Sequence, residues 1–352
     1  MSRVEHLAEG VTLYLGDCRE VLPTLGKFDA VVTDPPYCGV KPDAWDNQWK
    51  TGDEFIVFIG ALADEILSHM VTNGSLYHFA SPQMAARIEV ELSARFHILN
   101  NIVWNKGETR NGACGTGIDI TALRLYWSAS SERIIFAEHY GSDRNAGDVS
   151  GYFDACLGIK SLIFGDYLRT EFSRAKVTSK QIATLFPSKT GRLTGCVSNW
   201  LLGHNIPTPE QYQEIRKFLN HAGGEYLRRE YEDLRREYED LRRPFFLTPN
   251  DEWGDVWSFG IERRAEHPTQ KPVNLMRHII KISSRSEDSI LDPFMGSGTT
   301  GVAAVKLGRK FTGIEIEPRY FDIACRRISE ALKQPDFFIE KPKPAKQEAM
   351  EL

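Results

Sequence analysis

The chain contains the stretch Ser289-Ile290-Leu291-Asp292-Pro293-Phe294-Met295-Gly296-Ser297-Gly298-Thr299-Thr300-Gly301 near its C-terminus. The first three residues predict a buried strand, and the residues that follow the stretch predict a helix. Gly296 and Gly298 allow positive φ angles and a close approach of the backbone to a ligand. A strand, a glycine-rich turn and a helix in this order are typical of a nucleotide-binding unit in an α/β fold.

Strands and helices alternate along most of the chain on either side of this stretch. Apolar runs predict strands at residues 11–15, 28–33, 75–79, 98–104, 132–136, 289–291 and 311–314. Helical periodicity predicts helices at residues 53–72, 83–95, 272–284, 302–307 and 318–333. This alternation predicts βαβ units and a parallel sheet.

The alternation stops between residues 143 and 250, which predicts an insertion into the α/β domain. The tail after Pro335 is rich in Lys, Pro and Glu, a composition typical of disorder. The expected segments are 1–142 and 245–335 for the two parts of the α/β domain, 143–225 for the insertion, 226–244 for a heptad-repeat helix and 336–352 for a disordered tail.

The glycine-rich turn by itself leaves two classes of cofactor open. Gly296, Gly298 and Gly301 match the spacing of the dinucleotide fingerprint, which places a pyrophosphate at a helix N-terminus. S-adenosylmethionine has no phosphate but also carries a ribose. Glu315 follows the next predicted strand, where its carboxylate could accept both ribose hydroxyls of either cofactor.

A second unusual loop, Asp34-Pro35-Pro36-Tyr37, follows the predicted strand 28–33. Two consecutive prolines fix φ twice and donate no N–H, so the backbone is rigid and its carbonyls are free to accept hydrogen bonds. With a carboxylate and an aromatic ring, such a loop could clamp a flat ring that bears an amino group. The alternative is an ordinary turn, since Pro and Asp are common turn residues.

Composition and charge are those of a globular protein with one basic region. The chain has 352 residues, 41% hydrophobic and 26% charged, with a net charge of −5. Residues 158–221 hold nine Lys/Arg and four Asp/Glu, so this segment carries +5 and the remainder −10. That asymmetry indicates either a region that contacts phosphates or a solvated basic face.

Cysteine usage and hydropathy exclude several classes of protein. The six cysteines are scattered without a Cys-x-x-Cys pair, so neither a metal site nor a disulfide framework is expected, and a reducing cytoplasm is the expected location. The chain has no apolar run near the roughly 18–20 residues that would span a bilayer, so no membrane partner is expected.

Taken together, the motifs resemble the amino-group DNA methyltransferases of the β class, which modify adenine N6 or cytosine N4. The resemblance is carried by Asp34-Pro35-Pro36-Tyr37, the lead-in His267-Pro268-Thr269-Gln270-Lys271-Pro272, the stretch Asp292 to Thr300, and Gly313-Ile314-Glu315. It implies a Rossmann-like, seven-stranded α/β sheet that is circularly permuted, with an inserted, mainly helical target-recognition domain. It also implies S-adenosylmethionine as the cofactor and double-stranded DNA as the partner.

The resemblance implies roles for individual residues of both loops. The catalytic loop would be Asp34, Pro35, Pro36 and Tyr37, with Asp34 and the Pro35 carbonyl accepting from the amino group and Tyr37 stacking on a flipped base. The residues implied in cofactor binding are Asp17, Thr269, Lys271, Asp292, Phe294, Gly296, Ser297, Gly298, Thr299, Thr300 and Glu315.

In this family, an aspartate at the first position of the catalytic loop usually accompanies adenine N6. We therefore expect an adenine-specific enzyme, with a cytosine-N4 enzyme or a catalytically silent DNA-binding homologue as alternatives. A nicotinamide dehydrogenase, suggested by the glycine spacing alone, would leave Asp34 to Tyr37 unexplained.

The insertion is the expected target reader. Residues 177–186, 194–202 and 210–219 read as helices whose order resembles the helix-turn-helix of small phage repressors. Trp200 is expected in the core of this module, and a plain helical packing module is the alternative. The candidate DNA-contacting residues are Lys180, Lys189, Arg192, Thr194, Ser198, Asn199 and His204.

The sequence Leu-Arg-Arg-Glu-Tyr-Glu-Asp occurs twice, at residues 227–233 and 234–240. Leu227, Tyr231, Leu234, Tyr238 and Leu241 alternate spacings of four and three, which predicts a helix with a heptad seam. We expect the seam to pack within its own chain. A homodimer through residues 227–241 is the alternative.

Overall fold

A computed structural model of the protein describes residues 3–39, 46–107, 130–139, 158–188, 191–248, 254–262 and 270–333. The chain divides into the sheet unit, Met1–His139 with Pro244–Leu352, and the insertion unit, Tyr140–Arg243. The predicted tail and two predicted site residues, Thr269 and Lys189, lie outside the described residues.

The described part of the sheet unit is built on one nine-stranded sheet. The strands are β1 (Arg3–Ala8), β2 (Val11–Leu15), β3 (Phe28–Thr33), β4 (Met70–Ala80), β5 (Phe96–Asn105), β6 (Ser131–His139), β7 (Val256–Ser258), β8 (Ser289–Asp292) and β9 (Lys310–Glu315). Their spatial order is β1-β2-β9-β8-β3-β4-β6-β5-β7. β6 runs antiparallel to both neighbours and β1 is antiparallel to β2, whereas the remaining neighbours pair in parallel.

Helices cover both faces of the sheet, so the predicted α/β class is confirmed. The α-helices named for the described chain are α1 (Cys18–Val21), α2 (Gly52–Ser68), α3 (Ala85–Ser93), α4 (Asp166–Arg174), α5 (Ser179–Ala183), α6 (Cys196–Leu201), α7 (Pro209–Asn220), α8 (Tyr231–Leu241), α9 (Val273–Ser283), α10 (Thr299–Lys306) and α11 (Pro318–Lys333). A short 3-10 helix, Leu22–Thr24, follows α1, and a π-helical turn, Ser161–Gly165, precedes α4. Buried side chains of α1, α2 and α3 form the core on one face of the sheet, and those of α9, α10 and α11 form it on the other. Across the described ranges, each helix is too short or too polar to cross a lipid bilayer.

The pairing of β3 with β8 joins the two ends of the sequence. Ala30 lies opposite Ile290 and Val31 opposite Leu291 in this parallel pair. Asp29 reinforces it by accepting hydrogen bonds from the backbone N–H of Ser289 at 2.8 Å and from its hydroxyl at 2.7 Å. The loops that follow β3 and β8 therefore leave the same edge of the sheet, although about 260 positions separate them in sequence.

All seven predicted strands are present in the centre of the sheet, and the two edge strands were not predicted. β1 alternates mostly exposed with half-buried side chains, so it lacks an apolar run, and β7 has only three residues. The predicted helix 53–72 ends at Ser68, because Met70 is fully buried and pairs with Phe28 as part of β4.

The insertion unit has its own hydrophobic core. Trp200, which was expected in a core, is buried there beside Phe164, Tyr212 and Leu168. Thr178 and Thr208 begin α5 and α7 with capping boxes, in which each threonine and a glutamine three residues later satisfy one another's backbone N–H.

The connection between α5 and α6 differs from the predicted helix-turn-helix. It runs from Thr184 to Gly195, and its described residues include a bridge between Pro187 and Leu193. A helix-turn-helix has a turn of about three to four residues between its two helices. The insertion unit is therefore helical, but its α5–α6 pair lacks the tight turn of that motif.

The heptad seam packs within its own unit, as expected, but its helix begins later than predicted. Leu227, Tyr231 and Leu234 are buried in the core of the insertion unit. Leu227 has a positive φ of 49°, and its N–H donates to the buried Glu171 carboxylate at 2.7 Å, so α8 starts only at Tyr231. The buried leucines Leu227 and Leu234 already contact their own chain. The homodimer through residues 227–241 stays a prediction.

The repeat provides a matched pair of leucines for a stability test. Leu234 and Leu241 are one heptad apart, and they are 0% and 44% exposed. We expect Leu234→Ala to lower the free energy of unfolding by about 2–5 kcal/mol, because it leaves a cavity in the core. Leu241→Ala should change it by about 0.5 kcal/mol or less, as is usual for surface positions.

Urea denaturation of the full chain, followed by circular dichroism, measures both variants. Equal effects at the two positions would contradict this packing of α8. Sedimentation of Leu241→Ala tests the dimer at the same time, because an oligomer held by the exposed end of the seam would weaken.

Candidate active site

The site is built from two loops at the carboxyl ends of adjacent parallel strands. The loop Asp34–Tyr37 follows β3, and the loop Pro293–Gly298 follows β8 and leads into α10. In open α/β sheets, ligands bind at this edge. The two motifs that were singled out from distant parts of the sequence are therefore brought together by the sheet.

Asp34 lies in a largely buried cluster of charged side chains, which are 5–17% exposed. Its Oδ1 accepts a hydrogen bond from the Tyr37 hydroxyl at 2.8 Å, and its Oδ2 accepts from Nζ of Lys271 at 2.5 Å. Lys271 is 5% exposed and also lies 3.4 Å from Oε2 of Glu132. The sequence placed Lys271 with the cofactor residues, whereas the structure pairs it with the carboxylate of the other loop.

Glu132 and Lys106 belong to the same cluster and were not predicted. Nζ of Lys106 donates to Glu132 Oε1 at 2.5 Å, and the Tyr37 hydroxyl lies 2.9 Å from Glu132 Oε2. The antiparallel pairing of β5 with β6 sets Glu132 opposite Trp104, two residues before Lys106. In the sequence, each is only a charged residue at the end of an apolar strand, which is a common pattern.

Burial and pairing shift the pKa values of this cluster in opposite directions. Burial raises the pKa of Asp34 above its ordinary value, although Lys271 opposes the shift. Burial acts in the same direction on Glu132, but Lys271 and Lys106 together hold its pKa below the ordinary value. Burial and the two carboxylates raise the pKa of Tyr37, and Asp34 and Glu132 outweigh burial in raising the pKa of Lys271.

The backbone of the first loop is held by a buried aspartate. Asp46, 1% exposed, accepts a hydrogen bond from the Tyr37 N–H at Oδ1, and its carbonyl accepts from the Gly39 N–H at 2.7 Å. Pro35 and Pro36 are buried. The position of the Asp34 carboxylate is thus fixed from both the backbone and the side chain.

The second loop is closed by Glu315, at the end of β9. Its Oε2 accepts from the Gly296 N–H at 2.9 Å and its Oε1 from the Glu317 N–H at 2.8 Å. Gly298 has a φ of 76°, and a Cβ there would lie 2.9 Å from the Cβ of Ala324. Glycine is therefore required at the start of α10 on both conformational and steric grounds.

Several of the residues predicted to bind the cofactor form hydrogen bonds that stabilise the second loop. Asp292 accepts from the Thr300 hydroxyl at 2.6 Å and from the Phe294 N–H at 3.1 Å. The Arg327 guanidinium donates to the Ser297 carbonyl at 2.6 Å and to its hydroxyl at 2.8 Å. Arg327 also reaches the Thr299 hydroxyl at 3.3 Å. The side chains of Asp292, Ser297, Thr299 and Thr300 are buried, and their hydrogen bonds stabilise the loop.

Asp17 and Phe294 complete the surroundings of Glu315. β2 pairs with β9 so that Leu15 lies opposite Glu315, and the Gly16 N–H donates to the Glu315 carbonyl at 2.9 Å, one residue before Asp17. Asp17 caps α1 and pairs with Arg19, which lowers the pKa of the aspartate. Burial raises the pKa values of both Glu315 and Asp292 to about 7. The half-buried Phe294 ring meets Phe58 edge-on, with 6.2 Å between the ring centroids.

The predicted DNA-contacting residues lie on the insertion unit. Lys180, Arg192, Ser198, Asn199 and His204 are exposed. Thr194 is half-buried, and its hydroxyl donates to the Phe186 carbonyl at 2.9 Å. The Thr194 hydroxyl is thus engaged within the fold, whereas the other five described side chains face solvent.

Comparison with known families identifies the arrangement. The model of the N6_N4_Mtase family, described as DNA methylase, matches residues 28–326. The chain belongs to this DNA methylase family. The match spans both loops and the insertion, and the resemblance to amino-group DNA methyltransferases is confirmed at the level of the family.

Curated relatives of this chain match over different lengths. It is similar to the DNA adenine methyltransferase YhdJ of Escherichia coli K12, with 25% identity over 331 residues, 92% of this chain and 84% of that protein. The type II methyltransferase M2.LlaDCHI of Lactococcus lactis subsp. cremoris is 48% identical over 81 residues, 22% of this chain. M2.DpnII of Streptococcus pneumoniae is 46% identical over 87 residues, 23% of this chain. The chain thus covers only 30% and 32% of these last two proteins.

Solved structures align along most of the chain at low identity. The M1.HpyAVI–SAM complex is 20% identical with a TM-score of 0.46, covering 90% of this chain and 98% of that one. PvuII DNA methyltransferase, described as cytosine-N4-specific, is 12% identical with a TM-score of 0.49, covering 92% of this chain and 89% of that one.

Proposed function

We propose that the protein transfers a methyl group from S-adenosylmethionine to the N6 amino group of adenine in duplex DNA. The observation that carries the proposal is the position of Asp34, a largely buried carboxylate that follows β3, the strand paired with β8, which leads into the loop Pro293–Gly298 (the glycine loop). Family membership supports methylation of an amino group of DNA. The target base would leave the duplex stack to reach Asp34.

The glycine loop has the chemistry that a ribose-bearing cofactor requires. Each oxygen of Glu315 accepts one backbone N–H, and a carboxylate oxygen has a further lone pair, so two ribose hydroxyls can still be accepted. Asp17, at the next strand end, is the proposed acceptor for the adenine amino group of the cofactor. Gly296 and Gly298 let the backbone approach the methionine part, beside Phe294. Bound there, S-adenosylmethionine supplies an activated methyl group.

Asp34 is suited to hold an amino group. Each of its oxygens accepts one hydrogen bond in the structure and keeps a lone pair for the hydrogens of a substrate. A hydrogen bond to an ionised acceptor in a buried site is stronger than one in water. It would draw the nitrogen lone pair out of the base ring and make that nitrogen nucleophilic. Catalysis would then consist mostly of positioning and electrostatic stabilisation.

The choice of adenine rests on two further supports. The loop begins with Asp34, and in this family aspartate usually accompanies adenine. The relative that aligns with nearly the whole chain is named a DNA adenine methyltransferase. A cytosine-N4 enzyme is the second candidate, since its amino group presents the same chemistry to Asp34.

The product identifies both the reaction and the base. Purified protein is incubated with DNA and labelled S-adenosylmethionine, and the digested nucleosides are identified by mass. We expect N6-methyladenine. Asp34→Ala should reduce the yield by roughly 10²–10³-fold, as for loss of one preorganised group in other active sites, while leaving cofactor binding largely unchanged. Asp53→Ala, at an exposed aspartate of α2, is the control and should behave as the wild type.

Two other outcomes of this experiment would change the assignment. N4-methylcytosine as the sole product would refute the adenine assignment but keep the methyltransferase. Bound cofactor without product on any DNA would favour the catalytically silent homologue.

The insertion unit is the proposed reader of the DNA target. Five exposed polar or basic side chains come from α5, α6 and the segments that flank α6, in the region that carries a net charge of +5. Because the tight turn of a helix-turn-helix is absent between α5 and α6, reading would use α6 together with the neighbouring loop. Thr194 is the weakest candidate, since its hydroxyl already bonds Phe186.

Two neighbouring residues of α6 test this surface. The variant with Ser198→Ala and Asn199→Ala should weaken binding to the preferred DNA by roughly tenfold or more, because each good base contact contributes about 1–3 kcal/mol of discrimination. Gln213→Ala, at an exposed polar position of α7, is the control. Unchanged affinity and unchanged target preference in the double variant, with normal methylation, would refute the assignment.

A further inference from the structure

The Tyr37 hydroxyl faces two carboxylates with a single hydrogen. Its oxygen lies 2.8 Å from Oδ1 of Asp34 and 2.9 Å from Oε2 of Glu132. Both distances are those of hydrogen bonds, but a phenol donates only once. While both carboxylates are ionised, one of the two contacts has no hydrogen between its oxygens. The cluster is therefore one proton short of a complete hydrogen-bond chain.

A proton on Asp34 completes that chain. Protonated Asp34 would donate to the Tyr37 oxygen, and Tyr37 would donate to Glu132. Every oxygen–oxygen contact in the row then has one hydrogen, without any movement of heavy atoms. A fixed site that becomes fully satisfied on receiving a proton is preorganised to accept one.

The two lysines determine which carboxylate of the cluster stays ionised. Lys106 donates to the second oxygen of Glu132, and Lys271 lies between Glu132 and Asp34. The two lysines keep Glu132 ionised and thus able to accept from Tyr37. With Asp34 ionised as well, the four charges of the cluster cancel, which suits its burial. In that state the cluster is neutral, and Glu132 can accept a hydrogen bond from Tyr37.

We propose that Tyr37 and Glu132 serve as the acceptor chain that stabilises Asp34 after it takes the proton released by the methylated amino group. In this step the nitrogen lone pair forms the N–CH₃ bond, and the carbon–sulfur bond of the sulfonium donor breaks with its electron pair staying on sulfur. The N–H proton moves to Asp34. This inference rests on the proposed methyl transfer and assigns Glu132 and Lys106 as positioning residues for it.

Charge is conserved within the site during this step. The positive charge that leaves the sulfonium reappears as the proton on Asp34, so the buried cluster and the donor together keep the same net charge. The hydrogen bonds from Asp34 to Tyr37 and from Tyr37 to Glu132 distribute the charge of this proton away from the methylated nitrogen. The product nitrogen is then uncharged and its return reaction is disfavoured.

The pH dependence of single-turnover methyl transfer tests the assignment. The rate requires ionised Asp34, so it is lost as the pH falls through the pKa of that group. The charged groups that act on Asp34 are Lys271, Glu132, Lys106 through its pair with Glu132, and Asp292 at the end of β8. Tyr37 contacts it as the hydrogen-bond donor.

Two substitutions should move the acid limb of the rate profile in opposite directions. Glu132→Gln removes a negative charge and lowers the pKa of Asp34, so the limb should move to lower pH by roughly one unit or more. Lys106→Gln removes a positive charge and should move it to higher pH. The plateau rate of Glu132→Gln should also fall, by roughly 10²-fold, as expected for impaired proton transfer.

Glu138→Gln is the matched control, because Glu138 is a buried carboxylate of the same strand that pairs with His97 outside the cluster. Its acid limb should coincide with that of the wild type. Lower rates with unmoved limbs in both cluster variants would overturn the acceptor role and leave only a structural one. If Glu132→Gln fails to fold, the test rests on Lys106→Gln alone. An acid limb that moves to higher pH supports the acceptor role, and an acid limb that stays in place overturns it. An inactive wild type would instead refute the methyl transfer itself.

Discussion

The ion pair between Lys271 and Asp34 is the contact on which the site depends. It joins side chains that are 237 positions apart and that are 5% and 17% exposed, respectively. A buried carboxylate tends to be neutral, because the charged form loses its hydration. An ionised carboxylate offers only acceptor sites to an amino group, whereas a protonated one also carries a donor. Lys271 opposes the effect of burial, and the Tyr37 hydroxyl acts in the same direction, so both favour the ionised form of Asp34 that the proposed reaction requires.

This contact is available because the sheet brings the two ends of the sequence together. The parallel pairing of β3 with β8 sets the two loops side by side, and Asp29 with Ser289 fixes the register. Neighbouring β9 contributes Glu315 and β2 leads into Asp17. One edge of one sheet thus carries the proposed acceptor for a substrate amino group and the carboxylates proposed to bind a cofactor. The insertion interrupts the sequence without interrupting this edge.

The sequence predicted what depends on local patterns. Apolar runs marked the seven central strands, and rigid or glycine-rich loops marked both halves of the site. β1 was missed because its exposed alternation has no apolar run, and α8 was predicted too long because Glu171 diverts the chain at Leu227. Glu132 and Lys106 were missed because their role arises only from contacts across the sheet. The same holds for Lys271, whose partner is set by tertiary structure rather than by its motif.

A double-mutant cycle on Asp34 and Lys271 tests the central claim most directly. The free energies of unfolding of Asp34→Asn, Lys271→Met and the double variant are measured by urea denaturation. We predict that the double variant is more stable than the sum of the single effects implies, by at least ~1 kcal/mol, since contacting residues couple by about 0.5–3 kcal/mol. Additive effects, with a coupling energy near zero, would contradict the claim that Lys271 holds the proposed catalytic carboxylate of Asp34.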